Sequence, residues 1–123
     1  MADHPNAAKY RAATKALEAG RFEELMDTVA DDVTWWMIGA KEPLRGKQAL
    51  MELTQFADYQ VKADLHDVVA NDEHVVALIN ATATKDGRTF QYRTAEIHHI
   101  KDGKITERWA FSDDTDAINK FFA

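Results

Sequence analysis

The pattern of hydrophobic and polar residues changes character near residue 60. Before that point most apolar side chains recur at intervals of three and four residues, the spacing of a helix that buries one face. Phe22, Leu25, Met26 and Val29, for example, stand at i, i+3, i+4 and i+7. After residue 60 the pattern is that of long β segments separated by turns. Helices followed by a run of antiparallel strands indicate the α+β class.

Turn residues and helix caps predict where these elements begin and end. A first helix is expected to start near Asp3-His4-Pro5, with proline in the first turn, and to stop at Gly20. Asp31-Asp32 is expected to end the second helix in a solvated turn. No repeat or linker interrupts the chain, so 1–123 is predicted to be one domain. The remaining predicted elements are helices at 22–29, 47–56 and 114–121 and strands at 33–38, 61–69, 74–84, 89–100 and 105–112.

The strand at 89–100 carries the candidate chemistry. Alternate side chains of a strand point to opposite faces, so one face presents Tyr92, Thr94, Glu96, His98 and Ile100. An ionisable group in the mostly apolar interior of a protein is rarely buried without a partner, and it marks functional sites more often than chance. If this face points inward, Glu96 is a candidate acid or base.

Two interpretations of Glu96 remain open from the sequence. Removal from water would raise the pKa of its carboxyl, which could then exchange protons near neutral pH. Alternatively, an inward Arg108 would hold the carboxylate in an ion pair, and the pair with His98 would be a satisfied polar cluster without turnover.

The direction of Arg108 is itself ambiguous in the sequence. In the last strand Ile105, Trp109 and Phe111 lie on one side by simple alternation, and Arg108 lies on the other. Amphipathicity alone would bury the tryptophan side and expose Arg108.

A metal site is not expected at the two adjacent histidines. His98 and His99 point to opposite faces of a strand and cannot readily bind one ion. Glu96 shares a face with His98, but two ligands are too few for a catalytic zinc site. We therefore expect neither a metal nor any other cofactor.

Composition narrows the possible partners and location. Apolar residues make up 46% and charged residues 29% of the chain, as in ordinary soluble globular proteins. The net charge of −6 disfavours nucleic acid and anionic membrane surfaces as partners. With no cysteine, thiolate catalysis and disulfides are excluded. No apolar run reaches the ~20 residues of a membrane span and the start lacks a signal-peptide core, so we expect a cytoplasmic protein.

Three short segments carry a resemblance to a known family. They are Ala30-Asp31-Asp32-Val33-Thr34-Trp35, Leu44-Arg45-Gly46, and Asp102-Gly103-Lys104-Ile105 followed by Trp109. With the predicted order α-α-β-α-β-β-β-β, the chain resembles the nuclear transport factor 2-like (cystatin-like) superfamily. SnoaL-like polyketide cyclases, ketosteroid isomerases and limonene-epoxide hydrolases belong to it. The resemblance implies a cone-shaped, curved antiparallel sheet with the N-terminal helices packed on its concave face.

The resemblance also implies a cavity for a small hydrophobic molecule and a homodimer. In the family register Arg108 points inward, and Glu96, Arg108 and His98 are the candidate catalytic residues. The expected substrate-binding residues are Trp35, Met37, Ile79, Ala81, Ala83, Tyr92, Thr94 and Ala110. The expected dimer face on the outer side of the sheet consists of Val76, Leu78, Ile97, Trp109 and Phe111.

Several catalytic positions of the relatives hold other residues in this chain. The general-base aspartate of ketosteroid isomerases falls at Met37, and their oxyanion-binding tyrosine falls near Ala13. The catalytic aspartate of SnoaL-like cyclases falls at Ala110. The hydrogen-bonding acid of ketosteroid isomerases falls at Glu96. The resemblance therefore argues against steroid isomerisation and leaves Glu96 as the position retained in kind.

The sequence thus predicts a SnoaL-like small-molecule protein, with three alternatives for its function. The first is a cofactor-independent enzyme that transfers protons on a small hydrophobic substrate, such as an isomerase, cyclase or hydratase. The second is a non-catalytic binder that uses the same cavity. The third is a dimeric association module whose cavity is vestigial.

Overall fold

A computed structural model describes residues 3–123, and within this range the chain forms four helices and six strands. The helices are α1 (Pro5–Glu18), α2 (Phe22–Met26), α3 (Lys47–Phe56) and α4 (Thr115–Phe122). The strands are β1 (Val29–Trp35), β2 (Leu44–Arg45), β3 (Gln60–Ala70), β4 (His74–Lys85), β5 (Arg88–Lys101) and β6 (Lys104–Ser112).

The six strands form one curved, unclosed sheet in the order β2-β1-β6-β5-β4-β3. Strands β4, β5 and β6 are joined by two-residue turns, Asp86-Gly87 and Asp102-Gly103, in which every residue has a positive φ. Such turns match the right-handed twist of the strands that they connect. The predicted α+β class with a curved sheet is confirmed, although β1 runs parallel to β6 while the other pairs are antiparallel.

The helices cover one face of this sheet through two clusters of buried side chains. Ala7 of α1 packs against the inner side chains of β3 and β4, which include Val68, Val75 and Ile79. The second cluster joins α2, α3, β1 and β6, and its members are Met26, Val29, Val33, Leu50 and Ile105. Beyond both clusters, α4 covers another part of the inner face, where Phe121 stacks on Phe90 with ring centroids 5.3 Å apart.

A β-bulge in β6 decides which of its side chains face inward. His99 pairs with Glu107 and Ile100 pairs with Ile105, so Thr106 is an extra residue in β6. An extra residue shifts the alternation of a strand by one position. Ile105 and Arg108 are therefore both buried.

The structure corrects the predicted elements between residues 22 and 46. The second helix ends at Met26, and Asp31-Asp32 lies within β1 instead of in a turn. Residues 36–38 are outside the strand, and the short strand β2 was not predicted. The reason is tertiary: the backbone of β1 finds its partners in β6, as in the pairing of Val29 with Ile105, and local hydrophobic spacing carries no information about that pairing.

Candidate functional site

A cavity of about 320 Å³ lies between α1, α2, α3 and the inner face of the sheet. Its walls are mostly apolar and include members of both core clusters, among them Met26, Leu50 and Ile79. Polar residues line it as well, and those with an ionisable side chain include Tyr10, Glu96, His98 and Arg108.

Glu96 and Arg108 form an ion pair in this cavity. Glu96 lies opposite Ala77 on one neighbouring strand and opposite Ala110 on the other. These small side chains leave room for the pair, in which 16% of the Glu96 side chain and 10% of the Arg108 side chain are exposed. Arg108 Nη2 lies 2.8 Å and Nε 3.1 Å from the same oxygen, Glu96 Oε1. Contacts this short between charged partners are among the stronger hydrogen bonds in proteins.

Arg108 is held in place by Trp35, the last residue of β1, and by Trp36, which follows that strand. Its Nη1 donates a hydrogen bond to the Trp36 carbonyl oxygen at 2.9 Å. Its guanidinium carbon lies 4.7 Å from the centre of the Trp35 ring, within the range of a cation–π contact. The guanidinium therefore has fixed partners on three sides.

The ion pair sets the charge of Glu96. Burial alone would raise the pKa of this carboxyl, but the Arg108 guanidinium outweighs burial and the pKa is lowered to about 2. Of the two interpretations left open by the sequence, the structure supports the ion pair. Glu96 is a carboxylate throughout the physiological pH range.

His98 is a buried polar group of the cavity with unused hydrogen-bonding capacity. Its side chain is 3% exposed, and within residues 3–123 neither ring nitrogen has a hydrogen-bond partner. Nε2 lies 3.7 Å from Glu96 Oε1, which is too long for a hydrogen bond. The ring is flanked by Tyr10 and Trp35, whose ring centroids lie 5.0 Å and 6.0 Å away. Buried polar atoms are rarely left unpaired, so a polar group from a ligand or a water is expected at His98.

Tyr10 is a site residue that the sequence analysis missed. Tyr10 is not among the candidate residues named from the sequence, where it is one of the apolar side chains of the first helix together with Ala7, Ala13 and Leu17. In the structure it lines the cavity, and burial, reinforced by the negative charge of Glu96, raises the pKa of its hydroxyl. The hydroxyl therefore stays protonated and can donate a hydrogen bond. A single aromatic hydroxyl on an otherwise aliphatic helix face was the signal available in the sequence.

The predicted substrate-binding residues divide into two groups. Trp35, Met37 and Ile79 line the cavity. The others lie outside its walls: Ala81, Ala83, Tyr92, Thr94 and Ala110.

The C-terminal helix explains much of this division. Phe121 and Phe122 of α4 approach Phe90 and Tyr92 on β5, with ring centroids 5.3 Å and 6.4 Å apart for the respective pairs. These rings fill the part of the inner face that was expected to remain open. Ala81 is buried in the α1 core cluster, and Ala110 faces a separate cleft.

Neither a metal-binding cluster nor a membrane span is found in the described part of the chain. Residues 3–123 contain no group of three or more histidine, aspartate or glutamate side chains arranged to hold a metal ion. None of the helices in this range has the length and hydrophobicity needed to cross a membrane.

Solved structures of several other proteins share this fold. An NTF2-like protein of unknown function from Burkholderia pseudomallei matches with a TM-score of 0.81 at 14% identity, over 96% of this chain and 97% of that one. An LEH-like epoxide hydrolase from M. tuberculosis matches with a TM-score of 0.75 at 17% identity, over 93% and 86%. IdmH, a proposed polyketide cyclase from Streptomyces antibioticus, matches with a TM-score of 0.73 at 21% identity, over 98% and 100%.

The family is defined by the sequence itself. Residues 10–108 match the model of the SnoaL-like domain, and the chain belongs to this family. The resemblance to the nuclear transport factor 2-like superfamily is thereby confirmed. A comparison with curated protein sequences finds no match.

Proposed function

We propose that this SnoaL-like protein binds a small, mostly apolar molecule in the interior cavity and transfers a proton on it, with His98 as the proton-carrying group. One observation carries this proposal: His98 is buried at the cavity, and within residues 3–123 both of its ring nitrogens lack partners. An imidazole accepts and donates protons readily near neutral pH.

The other polar groups then have supporting roles. Glu96, with its pKa lowered to about 2, is too weak a base to take a proton from a ligand near neutral pH. Its negative charge lies 3.7 Å from His98 Nε2 and stabilises the imidazolium that forms when His98 accepts a proton. Arg108 holds the Glu96 carboxylate, and the Tyr10 hydroxyl donates a hydrogen bond to an oxygen of the ligand.

The chemical step balances without a cofactor. The neutral imidazole of His98 takes a proton from one atom of the ligand and returns it to another atom of the same molecule. This is the proton balance of an isomerisation or a cyclisation. The similar structures include a proposed polyketide cyclase and an LEH-like epoxide hydrolase, and a small organic substrate is compatible with both.

The size and charge of the cavity limit the ligand. A volume of about 320 Å³ is near the lower end of the ~300–1,000 Å³ that is typical of ligand pockets. The ion pair already neutralises itself, so a charged ligand would find no free counter-charge among its two members. We therefore expect an uncharged molecule of one or two rings, or of terpenoid size, with at least one oxygen.

The first experiment is a thermal-shift screen of small aromatic polyketide-like, terpenoid and steroid compounds. At about 100 times its dissociation constant, a ligand stabilises the fold by about 2.7 kcal/mol. For a domain of this size that corresponds to a rise in Tm of roughly 10 °C.

The second experiment uses the ligands found in the screen and does not require a known product. Each ligand is incubated with the protein in D₂O, and loss of its carbon-bound hydrogens is followed by ¹H NMR. The wild type should introduce deuterium, because a proton held by His98 exchanges with solvent between removal and return. His98→Gln should bind the ligand and introduce none, whereas His99→Gln, one residue away on the opposite face, should behave as the wild type.

A non-catalytic binder is the second candidate, and a specific observation favours it. Glu96 stays ionised and Tyr10 stays protonated, so neither of these two neighbours can exchange a proton with His98 near neutral pH. In that case ligands bind but no deuterium appears in them. Exchange that survives in His98→Gln and disappears in Glu96→Gln would instead transfer the proton-carrying role to Glu96.

A further inference from the structure

A second cleft lies on the other side of the segment that follows β1. It has a volume of about 680 Å³ and lies between residues 36–40, the end of β6 and the start of α4. Three aromatic side chains line it: Trp36, Trp109 and Phe111. Both indole N–H groups donate to Glu107 Oε2, at 3.2 Å from Trp36 and 2.8 Å from Trp109. The shared carboxylate oxygen holds the two indoles in fixed orientations.

Met37 lines both the interior cavity and this cleft, and among the described residues no other residue does so. Its backbone is fixed by a turn, in which the Ala40 N–H donates to the Met37 carbonyl at 3.1 Å. Gly39 in this turn has φ +73°, and a Cβ there would lie 2.9 Å from Thr115 Cγ2, so the turn rests directly on α4. The Met37 side chain itself is unbranched and adaptable.

The Glu96–Arg108 pair of the cavity lies close to Met37. Arg108 donates to the carbonyl oxygen of Trp36, the residue before Met37, and also contacts Glu96. His98 and Met37 both line the cavity, so a ligand whose polar end meets His98 can extend its apolar end toward Met37.

We propose that Met37 is the partition between two subsites and sets the greatest length of ligand that the cavity accepts. The aromatic cleft is the second subsite, and it takes the distal apolar part of an uncharged molecule when the methionine side chain is absent or turned aside. This inference rests on the proposed binding of a small molecule in the interior cavity.

The test uses straight-chain 2-alkanones of increasing length, with dissociation constants measured by isothermal titration calorimetry. Wild-type affinity should rise about fourfold with each methylene until the cavity is full, and then fall. Met37→Ala should move that maximum to longer chains by two or more carbons. Met37→Leu, which keeps the volume, should leave it in place.

Leu53→Ala is the matched control, because it removes the same number of heavy atoms from the cavity wall on α3, away from the cleft. It should enlarge the cavity without opening it into the cleft. Long alkanones should therefore shift the indole N–H resonances of Trp36 and Trp109 in ¹H–¹⁵N spectra of Met37→Ala, and should leave them in place in Leu53→Ala. If Met37→Ala does not fold, Met37→Val should give a smaller shift of the same kind.

The outcomes separate this inference from the proposed function. Equal length maxima in Met37→Ala and Leu53→Ala, or unmoved cleft indoles, would contradict the partition while leaving binding in the cavity intact. Wild-type protein that binds no alkanone of any length would contradict both. The titrations are repeated at tenfold lower protein concentration, since dependence on concentration would assign the effect to self-association and overturn the partition.

Discussion

At the scale of single residues, the charge of Glu96 is determined by its neighbours more than by its burial. Apolar surroundings alone would raise the pKa of a carboxyl group. Here Glu96 lies between Ala77 and Ala110, whose side chains are small, and Arg108 contacts its carboxylate at 2.8 Å. The Glu96 carboxylate consequently binds Arg108 and lies beside His98. The imidazole of His98, which has no hydrogen-bond partner among residues 3–123, is then the group most suited to proton transfer.

This arrangement predicts how stability depends on pH. The pKa of Glu96 is lowered from 4.5 to about 2 on folding, so its contribution is complete above pH ~4.5 and is lost as pH falls toward ~2. At pH 7 the free energy of unfolding of Glu96→Gln should be lower than that of the wild type by about 3 kcal/mol, because Arg108 is left buried and unpaired. The difference should shrink between pH ~4.5 and ~2, as measured by urea unfolding.

The control for this experiment is Asp64→Asn, which removes one negative charge from an exposed position on β3. A stability difference for Glu96→Gln that is constant from pH 7 to pH 2 would show that the Glu96–Arg108 pair does not stabilise the fold through its charge.

At the scale of secondary-structure elements, two local irregularities shape the site. The extra residue Thr106 in β6 turns Arg108 inward while Ile105 stays in the core. The turn at Gly39 brings the segment after β1 onto α4 and so positions Met37. The bulge interrupts the alternation of β6 and the turn ends the extended chain after β1. Each irregularity is followed by a residue of the interior cavity or lies next to one, Arg108 and Met37 respectively.

The Gly39 turn gives a prediction at this scale. Gly39→Ala should destabilise the fold by roughly 2–3 kcal/mol, since it adds the cost of a positive φ to contact with Thr115, whose branched side chain has few rotamers. Gly20→Ala is the matched control, because Gly20 has φ +78° but nothing within 4 Å of its added Cβ. It should cost about 1 kcal/mol. If chemical denaturation gave equal losses of stability for Gly39→Ala and Gly20→Ala, α4 would have to move to accommodate the added methyl group.

At the scale of the whole molecule, the outer face of the sheet carries an apolar surface. Leu78 and Trp109 are each 39% exposed and Phe111 is 57% exposed. Strand pairing places them in two adjacent rows, Val76–Ile97–Trp109 and Leu78–Ala95–Phe111. A contiguous apolar surface of this kind is typical of a protein–protein contact. We propose that a second copy of the chain packs on these rows and closes the outer side of the aromatic cleft, which Trp109 and Phe111 also line.

The dimer is tested by charge substitution. Phe111→Lys should convert a wild-type dimer to a monomer in sedimentation-velocity experiments, because it buries an unpaired ammonium group at the contact. Met51→Lys, a change at an exposed apolar residue of α3, should leave the dimer intact. A wild type that sediments as a monomer at high concentration would end the proposal.

Much of the fold could be predicted from the sequence because its signals are local. The bounds of β3, β4, β5 and β6 agree with the predicted strands to within one residue at each end, since alternation and Asp-Gly turns encode both the strands and their ends. The start of β1, the strand β2 and the parallel pairing with β6 were missed. These depend on partners that are distant in the sequence.

The candidate site follows the same division. Strand alternation by itself determined that Glu96 and His98 share a face, because the two-residue period of a strand is a local property. Only the tertiary structure decided that a bulge turns Arg108 toward Glu96, that Tyr10 joins them, and that α4 covers the surface near Tyr92. Local backbone geometry can be inferred from neighbouring residues. Which side chains meet in space, and what space they leave empty, depends on packing between elements that are far apart along the chain.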